Sequence, residues 1–325
     1  MDNAKDTKAL SVSRAESGQK LLNFLQRRVS ATTGEFHRWI RTGQVRINGA
    51  RAKAFDRLNE GDMVRIPPFA ERLPAGSDAR VQTSCAPEKK RSRLHIVFED
   101  EDILVIAKPA GLPAQGGTGH KESVASLLAE ERAGADFVPA PAHRLDKDTS
   151  GLIVAGKTYA AVRLLTDALA GRGSCRPRKE YLAWVEGAWP HAGTVTLTDR
   201  LAKDERAQRM RTFAPHQEQA DAKDARCEVT RLECRSVHGQ TRTLLLVRLL
   251  TGRTHQIRVQ LASRGYPIAG DPWYGHDESS REGLKLHAFR LSIPVPDGSM
   301  RDFELLPPWK GAWRYAPESG TTGKA

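Results

Sequence analysis

The sequence predicts an α+β protein in two units, a small basic one first and a larger, almost neutral one behind it. Three observations carry that reading. Apolar runs of strand length recur beyond residue 94, at 103–107, 152–155, 178–187 and about 226–234 and 241–250. They outnumber the helix-spaced patterns at 122–133, 158–171 and up to about Ser263. Residues 70–93 have no periodicity and hold Pro74, Gly76, Ser77, Pro87 and the run Lys89-Lys90-Arg91-Ser92-Arg93, which reads as a flexible linker. Charge breaks at the same place. Residues 1–94 hold 19 Lys and Arg against 10 Asp and Glu, and thus most of the net charge of +12. A basic module on a nearly neutral one suggests a polyanion-binding appendage.

Composition excludes several classes. With 325 residues and 39% hydrophobic content, one large core and one small one are possible. Mean hydropathy is −0.52, and no run approaches the roughly 20 apolar residues of a membrane span. Residues 1–18 lack the apolar core of a signal peptide. Cys85, Cys175, Cys227 and Cys234 form no C-x-x-C pair, so neither a zinc ribbon nor a disulfide framework is indicated, and a reduced, cytoplasmic protein is expected. His143 and His255 lack metal-ligand spacing. No metal and no cofactor are expected, nor any membrane association, and a monomer is. The stretch Gly116-Gly117-Thr118-Gly119-His120-Lys121 fails the spacing of a nucleotide-triphosphate loop.

In chain order, residues 1–18 are polar and expected to be disordered. Leu21, Leu22, Phe24 and Leu25 gather on one helical face ahead of Arg27 and Arg28, and Phe36, Trp39 and Ile40 mark a second short helix. A strand from Gly43 turns at Asn48-Gly49, a pair that tolerates positive φ, and Gly61-Asp62-Met63-Val64-Arg65-Ile66 closes the unit before Pro67-Pro68. Residues 19–69 therefore form one small domain, and Arg27, Arg28, Arg38, Arg41 and Arg46 accumulate on it. These helices, with Gly-x-Val-x-x-Asn-Gly and the closing Gly-Asp-x-Val-x-Ile, resemble the S4 RNA-binding domain, and the resemblance implies that these arginines meet RNA. A large domain over 94–315 and a disordered tail over 316–325 complete the chain.

The large domain is read outward from His143-Arg144-Leu145-Asp146-Lys147-Asp148-Thr149-Ser150-Gly151, a polar loop feeding the apolar run Leu152-Ile153-Val154-Ala155. Asp, Thr, Ser and Gly also form turns that need no chemistry. Three further segments stand with it. One is Ile103-Leu104-Val105-Ile106-Ala107 leading to Lys108-Pro109-Ala110-Gly111. Another is Lys179-Glu180-Tyr181-Leu182-Ala183-Trp184-Val185-Glu186-Gly187. The third is Gly252-Arg253-Thr254-His255-Gln256-Ile257-Arg258 with a trailing Gly270-Asp271-Pro272-Trp273-Tyr274-Gly275. Residues 202–224, with Arg206, Arg209 and Arg211, read as an irregular, mobile insertion.

These ordered motifs resemble the RluA-type RNA pseudouridine synthases, and the resemblance runs from about Gln19 to Trp309. The departures are minor: Ala225-Arg226-Cys227 stands where Ala-x-Thr is expected, and Ala269 where a larger aliphatic is. The resemblance implies a mixed, mainly antiparallel sheet and an isomerase with RNA as its partner. It makes Asp146 the catalytic carboxylate, Tyr181 the active-site tyrosine and Arg258 the cation that keeps Asp146 ionised. Tyr181 would stack on uracil or assist the final proton removal. Arg144 would fill the gap left by a flipped base, and Arg253 and His255 would meet phosphate at a helix start. The S4-like module and Gly18-Gln19…Asn23-Phe24-Leu25 resemble the branch acting on 23S large-subunit rRNA. Alternatives are a tRNA pseudouridine synthase and a non-catalytic ribosome-assembly factor that binds RNA.

Overall fold

A computed structural model describes residues 8–72, 93–116, 122–173, 175–204, 209–214, 221–275 and 283–317. The small unit comprises β1 (Ala9–Ser11), α1 (Leu21–Arg28), β2 (Val29–Ser30), α2 (Thr33–Arg41), β3 (Arg46–Ile47), β4 (Ala50–Arg51), β5 (Met63–Arg65) and β6 (Glu71–Arg72). Leu21, Phe24 and Leu25 of α1 and Phe36, Trp39 and Ile40 of α2 are buried together with Leu58, Val64 and Ile66, so the apolar faces read from the sequence are the ones that pack. α2 starts on a capping box, with Thr32 and Glu35 satisfying each other's backbone N–H groups. Asn48 and Gly49 both have positive φ, 49° and 81°, the turn that matches strand twist.

Two boundaries differ from the sequence reading. Residues 1–18 are not wholly disordered: β1 pairs antiparallel with β5 in a sheet of order β1-β5-β3-β4, and Val12 is buried. β5 offers a free edge, and a strand of three residues is too short to show periodicity. The linker also starts later than residue 70, because β6 pairs with β2. Residues 1–7, 73–92 and 318–325, which carry the rest of the expected tails and linker, lie outside the described residues.

The large unit follows as β7 (His95–Glu99), β8 (Ile103–Lys108), α3 (Val124–Glu131), β9 (Ala140–Pro141), β10 (Ser150–Gly156), α4 (Tyr159–Leu169), β11 (Arg178–Glu186), β12 (Val195–Asp204), β13 (Arg209–Phe213), β14 (Lys223–Val237), β15 (Gln240–Leu249), α5 (Gln256–Ala262), β16 (Leu286–Pro294) and β17 (Met300–Glu304). They build one sheet of order β13-β12-β14-β15-β11-β16-β10-β8-β7, with β17 on β16 and β9 on β10. Among the described residues β10 and β16 are the one parallel pair, so the sheet is mixed and mainly antiparallel as expected.

Alternation along the strands sorts the core into two layers. Leu104, Ile106 and Ile153 face α3 and α5, whereas Ile103, Val105, Leu152 and Val154 face Leu165 and Leu169 of α4. Tyr181 belongs to the first layer, beneath α5. Gly151 makes the parallel junction possible. A Cβ there would lie 2.3 Å from the Ala288 carbonyl oxygen, and its φ of +117° suits glycine alone. The stretch 202–224, expected to be irregular, is regular in part. Its described part is a β-extension in which β13 pairs with β12, and Met210 packs inward beside Leu201, Ala225 and Val259.

Candidate active site

The loop between β9 and β10 is tied down on several sides, which fixes where Asp146 points. His143 Nε2 accepts from the Val154 N–H at 3.2 Å. The Thr149 N–H closes a turn on the Asp146 carbonyl at 3.2 Å. The Ser150 hydroxyl and His287 Nδ1 are 2.8 Å apart, while His287 Nε2 lies 2.9 Å from the Leu305 carbonyl. A carbonyl only accepts, so the imidazole carries its proton on Nε2 and Ser150 donates to Nδ1. Burial pushes the His287 pKa down to about 4, consistent with a neutral ring. Lys108, at the end of β8, sends its buried ammonium to the carbonyls of Pro109, Leu112 and Lys147 at 3.0, 2.7 and 2.9 Å. Burial lowers its pKa to about 8, against the charges of Asp148 and Asp146. The backbone around Asp146 is thus held by groups from β8, β10 and β16, leaving its carboxylate a quarter exposed.

α5 supplies the opposing wall. It follows the turn from Gly252 to His255, which Gln256 organises. The Gln256 side-chain oxygen accepts from the Thr251 hydroxyl at 2.8 Å and the Arg253 N–H at 3.1 Å, and its amide donates to the Arg226 carbonyl at 3.0 Å. His255 has φ 51°, left-handed for a residue that is not glycine; such strain clusters at functional sites. One turn into α5, Arg258 is buried. Its guanidinium grips Asp271 through two bonds of 2.8 Å and reaches Asp146 Oδ2 at 3.4 Å through Nη1. Asp271 is fully buried and also accepts from the backbone N–H groups of Trp273 and Tyr274. Burial opposes the Arg258 charge. Hydrogen bonds and charge from Asp271, then Asp146, outweigh it and hold its pKa above the usual value.

His255 joins the same network. The Met210 N–H donates to the Tyr274 hydroxyl at 3.0 Å, and that hydroxyl lies 3.0 Å from His255 Nδ1. With Tyr274 donating to Nδ1, the imidazole proton sits on Nε2, which faces Asp146 Oδ2 at 3.9 Å. Burial lowers the His255 pKa, partly offset by Asp146. Tyr181, on β11, is buried at the base of the cleft. Burial and then the Asp146 charge push its pKa up, so it is a neutral ring and hydroxyl at physiological pH. A dry site beside a carboxylate disfavours phenolate.

Asp146, Tyr181, Arg258, Arg144, Arg253 and His255, which are distant in sequence, line one cleft of about 600 Å³. Arg144 is exposed at its mouth, and Arg253 donates to the Asp224 carbonyl at 2.9 Å. Lys179, two residues before Tyr181 and on the same strand face, adds a cation to the wall; its ammonium lies 3.2 Å from the Leu169 carbonyl. The arginines of the small unit lie apart from this cleft and divide. Arg38 and Arg41 are exposed on α2. Arg46 donates to the carbonyls of Gly43 and Gly49 at 3.2 and 3.0 Å. Arg28 bonds Glu16 at 2.7 and 3.1 Å and approaches Asp136 at 3.7 Å, and Arg27 lies over the Phe137 ring at 4.4 Å. Arg28 and Arg46, both expected as RNA contacts, thus also have partners within the chain.

Residues 102–263, which contain most of this constellation, match the RNA pseudouridylate synthase family. The chain is 33% identical over 303 residues to ribosomal large subunit pseudouridine synthase C of Haemophilus influenzae, covering 89% of this chain and 88% of that one. It is 34% identical over 305 residues to the protein of that name from Escherichia coli (strain K12), covering 89% of each. The chain belongs to the RNA pseudouridine synthase family. Among solved structures, human RNA pseudouridylate synthase domain containing 1 aligns with a TM-score of 0.56 at 25% identity, over 69% of this chain and 87% of that one. The synthase is thus an isomerase. Among the described residues, no helix is long and apolar enough to cross a membrane.

Sequence reasoning gave no role to Asp271, Tyr274, Lys108 or Lys179. The first two stand in Gly270-Asp271-Pro272-Trp273-Tyr274-Gly275, which in the sequence is a motif without assigned chemistry. The available signal was that an acid amid apolar and turn residues needs a cation if it is buried.

Proposed function

We propose that the synthase converts uridine to pseudouridine in large-subunit rRNA with Asp146 as its catalytic carboxylate. The observation that carries this is the Asp146–Arg258–Asp271 array beneath the cleft, with Tyr181 beside it. Pseudouridine formation breaks the bond between C1′ and N1 of uracil, turns the base, and joins C1′ to C5. Neither an electron acceptor nor water is consumed. One ionised carboxylate serves, whether it attacks the ribose or takes a proton from it. Arg258 faces Asp146 without tying it up, because two of its donors are committed to Asp271 and only Nη1 reaches Asp146. Tyr181, neutral, packs against the base that has left the stack, and Arg144 at the mouth fills the vacated position. The small N-terminal unit acts as an S4-like RNA grip, supported by Arg38 and Arg41 exposed on α2. Large-subunit rRNA as substrate rests on the names of the curated relatives.

Asp146→Asn keeps the shape and removes the charge. The expected outcome is no product from a uridine-containing RNA with RNA affinity unchanged or slightly higher. Near-normal turnover by this variant defeats the assignment. Pseudouridine mapping of large-subunit rRNA from cells with and without the protein tests the substrate.

A further inference from the structure

Four of the chain's six tryptophans, Trp39, Trp184, Trp189 and Trp313, are buried. Trp273 is 48% exposed, and no packing requirement accounts for it. It is nevertheless held firmly. Its backbone N–H donates to Asp271 Oδ1 at 2.9 Å, its backbone carbonyl accepts from Arg209 Nη1 at 2.9 Å, and its ring meets the His255 ring edge-on at 5.2 Å and 89°. His255 in turn stands 3.9 Å from the Asp146 carboxylate. Trp273 therefore stands beside the cleft, one side chain, His255, away from Asp146. Beside it, Arg209 and Arg211 point outward from β13 while Met210 turns inward. They border a shallow groove of about 400 Å³ that Tyr274 and Ser263 also line, with Asp204 the one acid among the described residues that line it.

We propose that Trp273 is a stacking platform for an unpaired RNA base flanking the reacting uridine, and that Arg209 and Arg211 take the adjoining phosphates. This deepens the functional reading above and rests on it for the position of the reacting uridine. Drawing one base from a stack strips its neighbours of a stacking partner, and a rigid, half-exposed indole replaces that partner whatever the neighbour's identity. A rigid ring loses little entropy in doing so, and the flanking cations match a polyanion rather than an apolar protein face.

The test uses the full chain and a labelled single-stranded RNA oligonucleotide containing uridine. Trp273→Leu keeps an apolar side chain and removes the π face. It is expected to weaken binding on the order of 10-fold with an unchanged slope of log affinity against log salt. Trp273→Phe should retain most of the affinity. Arg209→Gln combined with Arg211→Gln should weaken binding and lower the salt slope by about 0.7 for each phosphate no longer neutralised. In turnover, Trp273→Leu should raise KM far more than it lowers kcat. Wild-type affinity in Trp273→Leu overturns the proposal. So does a fall in kcat at saturating RNA without weaker binding, since the ring would then merely support His255. If the wild-type chain makes no pseudouridine in large-subunit rRNA while binding still depends on Trp273, the platform stands and the substrate assignment falls.

Discussion

Asp271→Asn probes the part of the site that sequence did not reveal. The side chain is fully buried and holds Arg258, itself 3% exposed, through two 2.8 Å charge-assisted bonds. Breaking a buried ion pair by removing one partner costs about 3–5 kcal/mol. Asn retains one acceptor oxygen, so a loss of roughly half, about 2 kcal/mol, is expected, equivalent to about 4–8 °C in Tm for a domain of this size. The catalytic effect follows from the 3.4 Å separation of Arg258 and Asp146. Deprived of its main partner, the guanidinium turns to the remaining carboxylate and contracts toward the ~2.8 Å of a full charge-assisted bond. An oxygen so engaged is a poorer nucleophile and base, and about 1.4 kcal/mol of such stabilisation is a tenfold fall in kcat. Urea denaturation and single-turnover product formation read the two effects separately. Adding Arg258→Met removes the stranded cation, so the double variant should recover stability to within about 1 kcal/mol of wild type while remaining inactive. An Asp271→Asn protein with wild-type denaturation midpoint and rate refutes the reasoning, as does a double variant less stable than either single one.

Gly151→Ala places a Cβ 2.3 Å from a backbone oxygen and strains φ, so the β10–β16 junction must open. A loss of about 3 kcal/mol or more is expected, visible as a lowered denaturation midpoint or insoluble protein. His287, with a folded pKa of about 4 against an ordinary 6.5, binds fewer protons folded than unfolded between those values. Its contribution is therefore full above pH 6.5 and is lost as pH falls toward 4, by at most about 1.4 kcal/mol per pH unit. Urea midpoints from pH 7 to 4.5 should fall, and less steeply in His287→Gln. A chain starting at Arg93 should still convert uridine in a short RNA at high concentration but bind long rRNA more weakly and with a smaller salt slope. Identical slopes would show that residues 1–92 do not grip RNA.

What is local in this protein was legible in its residues alone. Asn48-Gly49 dictated its turn, apolar spacing placed α1, α2 and α4, and the runs at 103–107 and 152–155 became β8 and β10. The ordered motifs were sufficient to identify the family. Which charges meet was settled only by the packed chain. Arg258 and Asp146 are separated by 112 positions and reach each other only because β10 lies beside β16, which in turn borders β11, with α5 folded over the same sheet face. Asp271 could not be named as the partner of Arg258 from spacing, since a separation of 13 residues fixes no direction in space. The same holds for Lys108, whose three carbonyl partners include one 39 residues away. It holds too for Arg28, whose acids lie in two different units. Secondary structure follows from the periodicity and turn chemistry of neighbouring residues. A buried charge is tolerated only where the folded chain brings its counter-charge, and that encounter depends on strand order, which no short stretch of the chain encodes.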